Sequence, residues 1–131
     1  MGQVDTKIIL DTKTITECKN MLMKSKMDLL NRFNSARLEF QQNEHSGDEI
    51  DQSNAQLVEH TFLVTQARYR SQLLEIEQAL LRIQNGTYGF CEETDEPIEI
   101  DRLLTIPWTR LSIEGAEIRE ALSKRVASAS K

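Results

Sequence analysis

The sequence predicts a mainly α-helical protein built on a long antiparallel coiled-coil hairpin, followed by a small globule and a C-terminal helix. Three observations predict it. No glycine or proline lies between Gly2 and Gly47 or between Gly47 and Gly86, which leaves two uninterrupted tracts of about 40 residues. Apolar residues recur in both tracts with the three-four rhythm of a helix face. Beyond Gly86 the texture changes, because Gly89, Pro97 and Pro107 punctuate a short aromatic stretch.

Taken in order, residues 1–14 are an N-terminal segment and 15–84 the hairpin, with its tip at 45–53. The first helix has a start signal in Thr14-Ile15-Thr16-Glu17, where the hydroxyl caps a free backbone N–H and the glutamate reaches back. The second begins near Ser53-Asn54-Ala55-Gln56 and stops at Asn85-Gly86, residues that tolerate the left-handed conformation ending many helices. Ile15, Cys18, Leu22, Leu29, Phe33, Ala36 and Phe40 mark the seam of the first helix. Val58, Phe62, Thr65, Tyr69, Leu73, Ile76, Leu80 and Ile83 mark that of the second. Folding back at Gly47 sets Phe40 against Val58, Ala36 against Phe62, Phe33 against Thr65, Leu29 against Tyr69, Leu22 against Ile76 and Ile15 against Ile83. About thirty residues of helix extend about 45 Å, so the hairpin should project into solvent or into a partner. Residues 85–117 form the globule, where short strands or turns are expected. The chain closes with a helix and tail at 118–131, the helix running from about Ile113 to Arg125.

Composition narrows the function. Lys and Arg total 16 against 21 Asp and Glu, a formal charge of -5, so no uniform basic surface exists to hold a phosphate backbone. Direct sequence-specific DNA binding is not expected. No apolar run approaches the roughly 20 residues that span a bilayer, and the N-terminus lacks a signal-peptide layout, so the expected location is cytoplasmic, away from membranes. Cys18 and Cys91 stand far apart, as two reduced thiols. No paired His with Cys or Ser, no phosphate loop and no metal cluster is legible, so the chain does not read as an enzyme.

Gly86-Thr87-Tyr88-Gly89-Phe90-Cys91-Glu92-Glu93, then Pro97-Ile98, Arg102-Leu103, Pro107 and Ile118-Arg119-Glu120, closely resembles the C-terminal signature of the DksA/TraR family. With the preceding hairpin the match covers most of the chain. The resemblance implies a coiled coil entering the secondary channel of bacterial RNA polymerase, with a zinc-binding globule at its base, and a monomer whose partner is polymerase rather than DNA. It also implies a role in the stringent response. The family carries an Asp-x-x-Asp-x-Ala/Ser pattern at the coiled-coil tip, and counting back from Cys91 places Asp48, Asp51 and Ser53 on it. Acids just before a helix are also common caps that offset the helix dipole. The resemblance assigns them instead to altering electrostatics inside the channel and destabilising promoter complexes.

The pattern departs from the family at the metal. Zinc-binding members carry two Cys-x-x-Cys pairs, and the four positions here read Cys91, Thr94, Ser112 and Gly115. One thiolate cannot hold a structural tetrahedral Zn²⁺, and His45 and His60 lie on the arm. The globule is therefore expected to be a degenerate zinc ribbon without cofactor. Its apolar mass would compensate, through Tyr88, Phe90, Ile98, Ile100, Leu103, Leu104, Ile106, Trp108, Leu111 and Ile113, with Cys91 packed as a small hydrophobe. The chain resembles the cysteine-poor paralogues of the family. A second departure concerns ppGpp, which DksA members bind jointly with polymerase through basic residues. Three of those positions become Glu75, Ile106 and Ala116, while Arg68 remains. Two readings stay open: action without ppGpp at that site, or basic groups elsewhere, with Arg102 and Arg110 nearby. Two alternatives to regulation also stay open. One is transcript cleavage by the tip acids, and the other a coiled coil that occupies the channel, or pairs with itself, without tip activity.

Overall fold

A computed structural model describes residues 10–45 and 52–129. Four helices follow one another: α1 (Thr12–His45), α2 (Gln52–Asn85), α3 (Ile100–Thr105) and α4 (Ile113–Ala129). Among the described residues, strand pairing is limited to one isolated antiparallel bridge between Phe90 and Pro97. The mainly α coiled-coil class is the one the sequence predicts. No helix among the described residues is long and apolar enough to cross a membrane.

α1 starts two residues before the Thr14 box. Its cap is Asp11, whose carboxylate accepts the Thr14 N–H at 2.8 Å while its carbonyl accepts the Ile15 N–H at 3.1 Å. An ionised carboxylate suits the positive end of a helix, and this hydrogen bonding holds the Asp11 carboxyl below its usual range. α2 ends as the Asn85-Gly86 pair predicts. Gly86 takes φ 77°, its N–H reaches the Ile83 carbonyl, and the Thr87 N–H reaches that of Arg82 at 2.9 Å. Those two bonds are the Schellman arrangement, which satisfies carbonyls left over at a helix end.

The chain divides into two units. One takes the described residues up to Leu22 and from Gln78 onward, the other Met23–Glu77. In the second unit α1 and α2 pair antiparallel, with Phe33, Ala36 and Phe40 half-buried on one helix and Phe62, Thr65, Tyr69 and Leu73 on the other. The register differs from the expected one near Phe40. Its ring stacks on Phe62, centroids 4.2 Å apart and planes 8° from parallel, instead of meeting Val58, which is 40% exposed. Stacking two aromatic rings gains more contact than setting phenylalanine against valine, and this moves the pairing by one turn. Beside Thr65, the residue expected opposite Phe33, a polar side chain is buried in the pairing. Gln66, next to Thr65, is 4% exposed and donates its side-chain N–H to the Phe33 carbonyl at 3.4 Å. The Arg70 guanidinium lies 5.6 Å from the centre of the Phe33 ring.

In the other unit Cys18, Leu22, Ala79, Tyr88, Cys91, Ile98 and Leu103 are buried, so the ends of both long helices contribute to the globule's core. Of the apolar residues expected there, Phe90, Ile100, Trp108 and Ile113 are exposed. α3 stands where strands or turns were expected. Without a sheet, the irregular backbone needs other partners, and side chains supply them. The Tyr88 hydroxyl donates to the Pro107 carbonyl at 2.7 Å, Arg102 to that of Leu111 at 2.8 Å, and Arg82 to those of Trp108 and Thr109 at 3.3 and 3.4 Å.

Candidate functional site

Two groups of residues stand out from the sequence, the tip acids and the four former zinc positions. Asp48 and Asp51 lie outside the described residues, between the end of α1 and the start of α2. Ser53 is exposed in the first turn of α2, and Arg68 is exposed further along the same helix. Glu75, Ile106 and Ala116, expected from the resemblance to stand where the family has basic residues, are half-buried. Arg102 and Arg110 are both engaged inside the globule, Arg102 on the Leu111 carbonyl and Arg110 on the side-chain oxygen of Gln78.

The four residues read from the sequence as degenerate zinc positions, Cys91, Thr94, Ser112 and Gly115, converge. Cys91 opens a tight turn in which its carbonyl accepts the Asp95 N–H at 2.9 Å, and its own N–H reaches the Glu96 carbonyl at 2.8 Å. Asp95 takes φ 60° to close that turn, which brings Thr94 back over Cys91. Ser112 caps α4 from the other side. Its hydroxyl oxygen accepts the Gly115 N–H at 3.0 Å and its carbonyl the Ala116 N–H at 2.9 Å. The Glu92 N–H bonds the Arg110 carbonyl at 2.9 Å, and Arg119 of α4 pairs with Glu93 at 3.0 Å and Glu92 at 3.5 Å. The turn is thereby tied to the start of α4.

At the centre is the Cys91 sulfur, 1% exposed. Burial alone raises a thiol pKa. Here hydrogen bonds from the side chains and backbones of Ser112 and Thr94 outweigh burial and bring Cys91 down to about 6. Cys91 is thus buried, as a small hydrophobe would be, yet its sulfur is also a hydrogen-bond acceptor. The sequence carried one sign of this, since two of the positions expected to have lost a cysteine, Thr94 and Ser112, carry hydroxyls and not apolar groups. The other thiol behaves oppositely: burial holds Cys18 above its usual pKa against a hydrogen bond with Tyr88 that lowers it, and its thiol donates to the Leu103 carbonyl at 3.8 Å.

A four-cysteine zinc centre needs four thiolates around the ion. One sulfur, two hydroxyls and a glycine do not provide them, so the donor set does not fit the metal.

Comparison with known proteins gives this geometry its context. Residues 86–121 match the family model described as the prokaryotic dksA/traR C4-type zinc finger. The RNA polymerase-binding transcription factor DksA of Caulobacter vibrioides is 38% identical over 77 residues, 59% of this chain and 54% of that protein. The chain thus spans about half the length of the curated relatives it matches first. Transcriptional regulator Dks of Chlamydia trachomatis, at 19% identity and a TM-score of 0.53 over 86% of this chain and 94% of that one, is alike in fold alone. The structure of transcription factor DksA2 from Pseudomonas aeruginosa superposes with a TM-score of 0.80 and 30% identity, over 87% of this chain and 88% of that one. With likeness maintained along nearly the whole of both chains, and the family's finger segment matched where the four positions converge, this chain belongs to the DksA/TraR family.

Proposed function

We propose that the chain is a transcription regulator that binds bacterial RNA polymerase through its secondary channel and alters promoter-complex stability with the acids between α1 and α2. It does so as a cytoplasmic monomer, without zinc and without catalysing a reaction. The observation that carries this reading is the pair of 34-residue helices joined by a segment containing Asp48 and Asp51, in a family whose named members bind polymerase. Each helix is about 51 Å long at 1.5 Å per residue. A carboxylate delivered by such an arm, in a site that excludes water, acts more strongly on nearby charges than it would in bulk solvent.

The charge balance supports a protein partner over nucleic acid, because the chain carries -5. For ppGpp, the engagement of Arg102 and Arg110 within the globule favours action without the alarmone at the position marked by Arg68. The competing reading is self-association without tip activity. It draws on the exposed apolar residues of the arm, including Met23, Met27 and Leu38 on α1 and Leu57 and Leu63 on α2.

Pull-down with core RNA polymerase, beside sizing of the free protein, tests the proposal. Retention by polymerase, competed by a known secondary-channel binder, together with a monomeric size is expected. A dimer that polymerase does not retain would favour self-association.

A further inference from the structure

We propose that Cys91, Thr94, Ser112 and Gly115 form a metal-independent clamp. In it one sulfur, seated in the volume that Gly115 leaves without a side chain and gripped by two hydroxyls, joins the 91–96 turn to the start of α4. The inference deepens the zinc-free part of the proposed function and is independent of polymerase binding.

Gly115 is the third residue of α4 and buried. A glycine inside a helix weakens it relative to alanine, and the backbone here does not ask for one, since positive φ among the described glycines is confined to Gly86 and Gly89. The neighbours ask for it. A Cβ built on Gly115 would overlap the Cys91 sulfur, and it would stand 3.3 Å from the Ser112 hydroxyl oxygen and 3.4 Å from the Glu93 Cβ. The sulfur occupies the space of the missing side chain.

Hydrogen-bond direction points the same way. The Ser112 hydroxyl oxygen accepts the Gly115 N–H at 3.0 Å, and that of Thr94 accepts the Glu96 N–H at 3.3 Å. Each hydroxyl oxygen is therefore held by a backbone amide, which leaves its proton for the sulfur that both side chains bond. Amide-to-hydroxyl bonds on Ser112 and Thr94 thus flank Cys91 on the two elements that a four-cysteine metal centre would bridge, and both hydroxyls act to lower its pKa. The sulfur needs no metal to join them. It needs both hydroxyls and an empty position 115.

A double-mutant cycle on the full chain tests the clamp, read by thermal melting with metal content measured alongside. In the wild-type background Gly115→Ala should lower Tm by roughly 5 to 10 °C, against the rise that helix propensity alone would give. In a Cys91→Ala background, where the sulfur has gone, the same change should leave Tm level or raise it. If Gly115→Ala does not fold, Thr94→Val carries the test by removing the O–H at nearly constant shape. It should lower Tm more with Cys91 present than with Cys91→Ala, where only the Glu96 N–H bond to the hydroxyl is lost. Equal effects in the two backgrounds for both substitutions would overturn the clamp while leaving the zinc-free reading standing. Stoichiometric zinc with a chelator-induced fall in Tm would overturn that reading, and the clamp with it.

Discussion

Cys91 combines full burial with a pKa lowered to about 6 against an ordinary value of 9.0, because its hydrogen bonds outweigh its burial. A group whose pKa is depressed by folding contributes stability that is complete above its unfolded pKa and is lost as pH falls through the folded one. The Tm should therefore rise with pH from about 6 to about 9, and Cys91→Ala should flatten that slope. Burial raises the pKa of Cys18 and Tyr88, so both stay protonated across this window and do not mask the effect. Melting curves at several pH values check this, and an unchanged slope in the variant would mean that Cys91 is a neutral thiol. Gln66 presents the opposite case. Its Oε1 is buried without a hydrogen-bond partner among the described residues, and its one bond, to the Phe33 carbonyl, is long at 3.4 Å. A buried unsatisfied polar atom costs about 1–3 kcal/mol, so Gln66→Leu should hold or raise Tm. A clear fall would show that Gln66 stabilises the α1–α2 pairing. The sequence did not announce either environment: Gln66 lies one residue off the seam position at Thr65, and the bonds to Cys91 come from residues three and twenty-one positions away.

At the scale of elements, the two long helices were legible because a tract free of glycine and proline leaves the chain few alternatives to helix. Their ends were read with mixed success. Asn85-Gly86 states its conformation directly, whereas the cap of α1 fell to Asp11 because a carboxylate competes well with a nearby hydroxyl for the first free amides. α3, only six residues long, left too short a pattern to distinguish helix from turn, and α4 continues past the expected Arg125 to Ala129. Pairing register was readable to within about one turn. An apolar rhythm fixes which face is buried, but ring stacking chose Phe62 over Val58 for Phe40. The seam positions nonetheless differ in weight. Ile76 is 2% exposed, and Ile76→Ala should cost about 2–5 kcal/mol by opening a cavity. Leu29 is half-buried, and its truncation should cost less, at most about 2 kcal/mol. Chemical denaturation of both variants checks the order, and a larger loss for Leu29→Ala would show the arm to be packed differently.

For the whole molecule, fold class and family were both within reach of the sequence, since the glycine-aromatic-cysteine signature and the uninterrupted tracts point the same way. The convergence of the four former zinc positions followed from that resemblance, whereas the hydrogen bonds that hold them did not. The proposed function rests on Asp48 and Asp51, between α1 and α2. The central claim is that Asp51 acts through its charge, and it is tested most directly by transcription in vitro from a ribosomal RNA promoter, comparing wild type with Asp51→Asn at matched polymerase occupancy. The substitution retains size and hydrogen-bonding capacity and removes at most a cap worth about 1 kcal/mol, so Tm and polymerase binding should be nearly unchanged. The account predicts that inhibition is lost while binding persists. Equal inhibition by both proteins would contradict it, leaving Asp51 a helix cap and channel occupancy the better explanation.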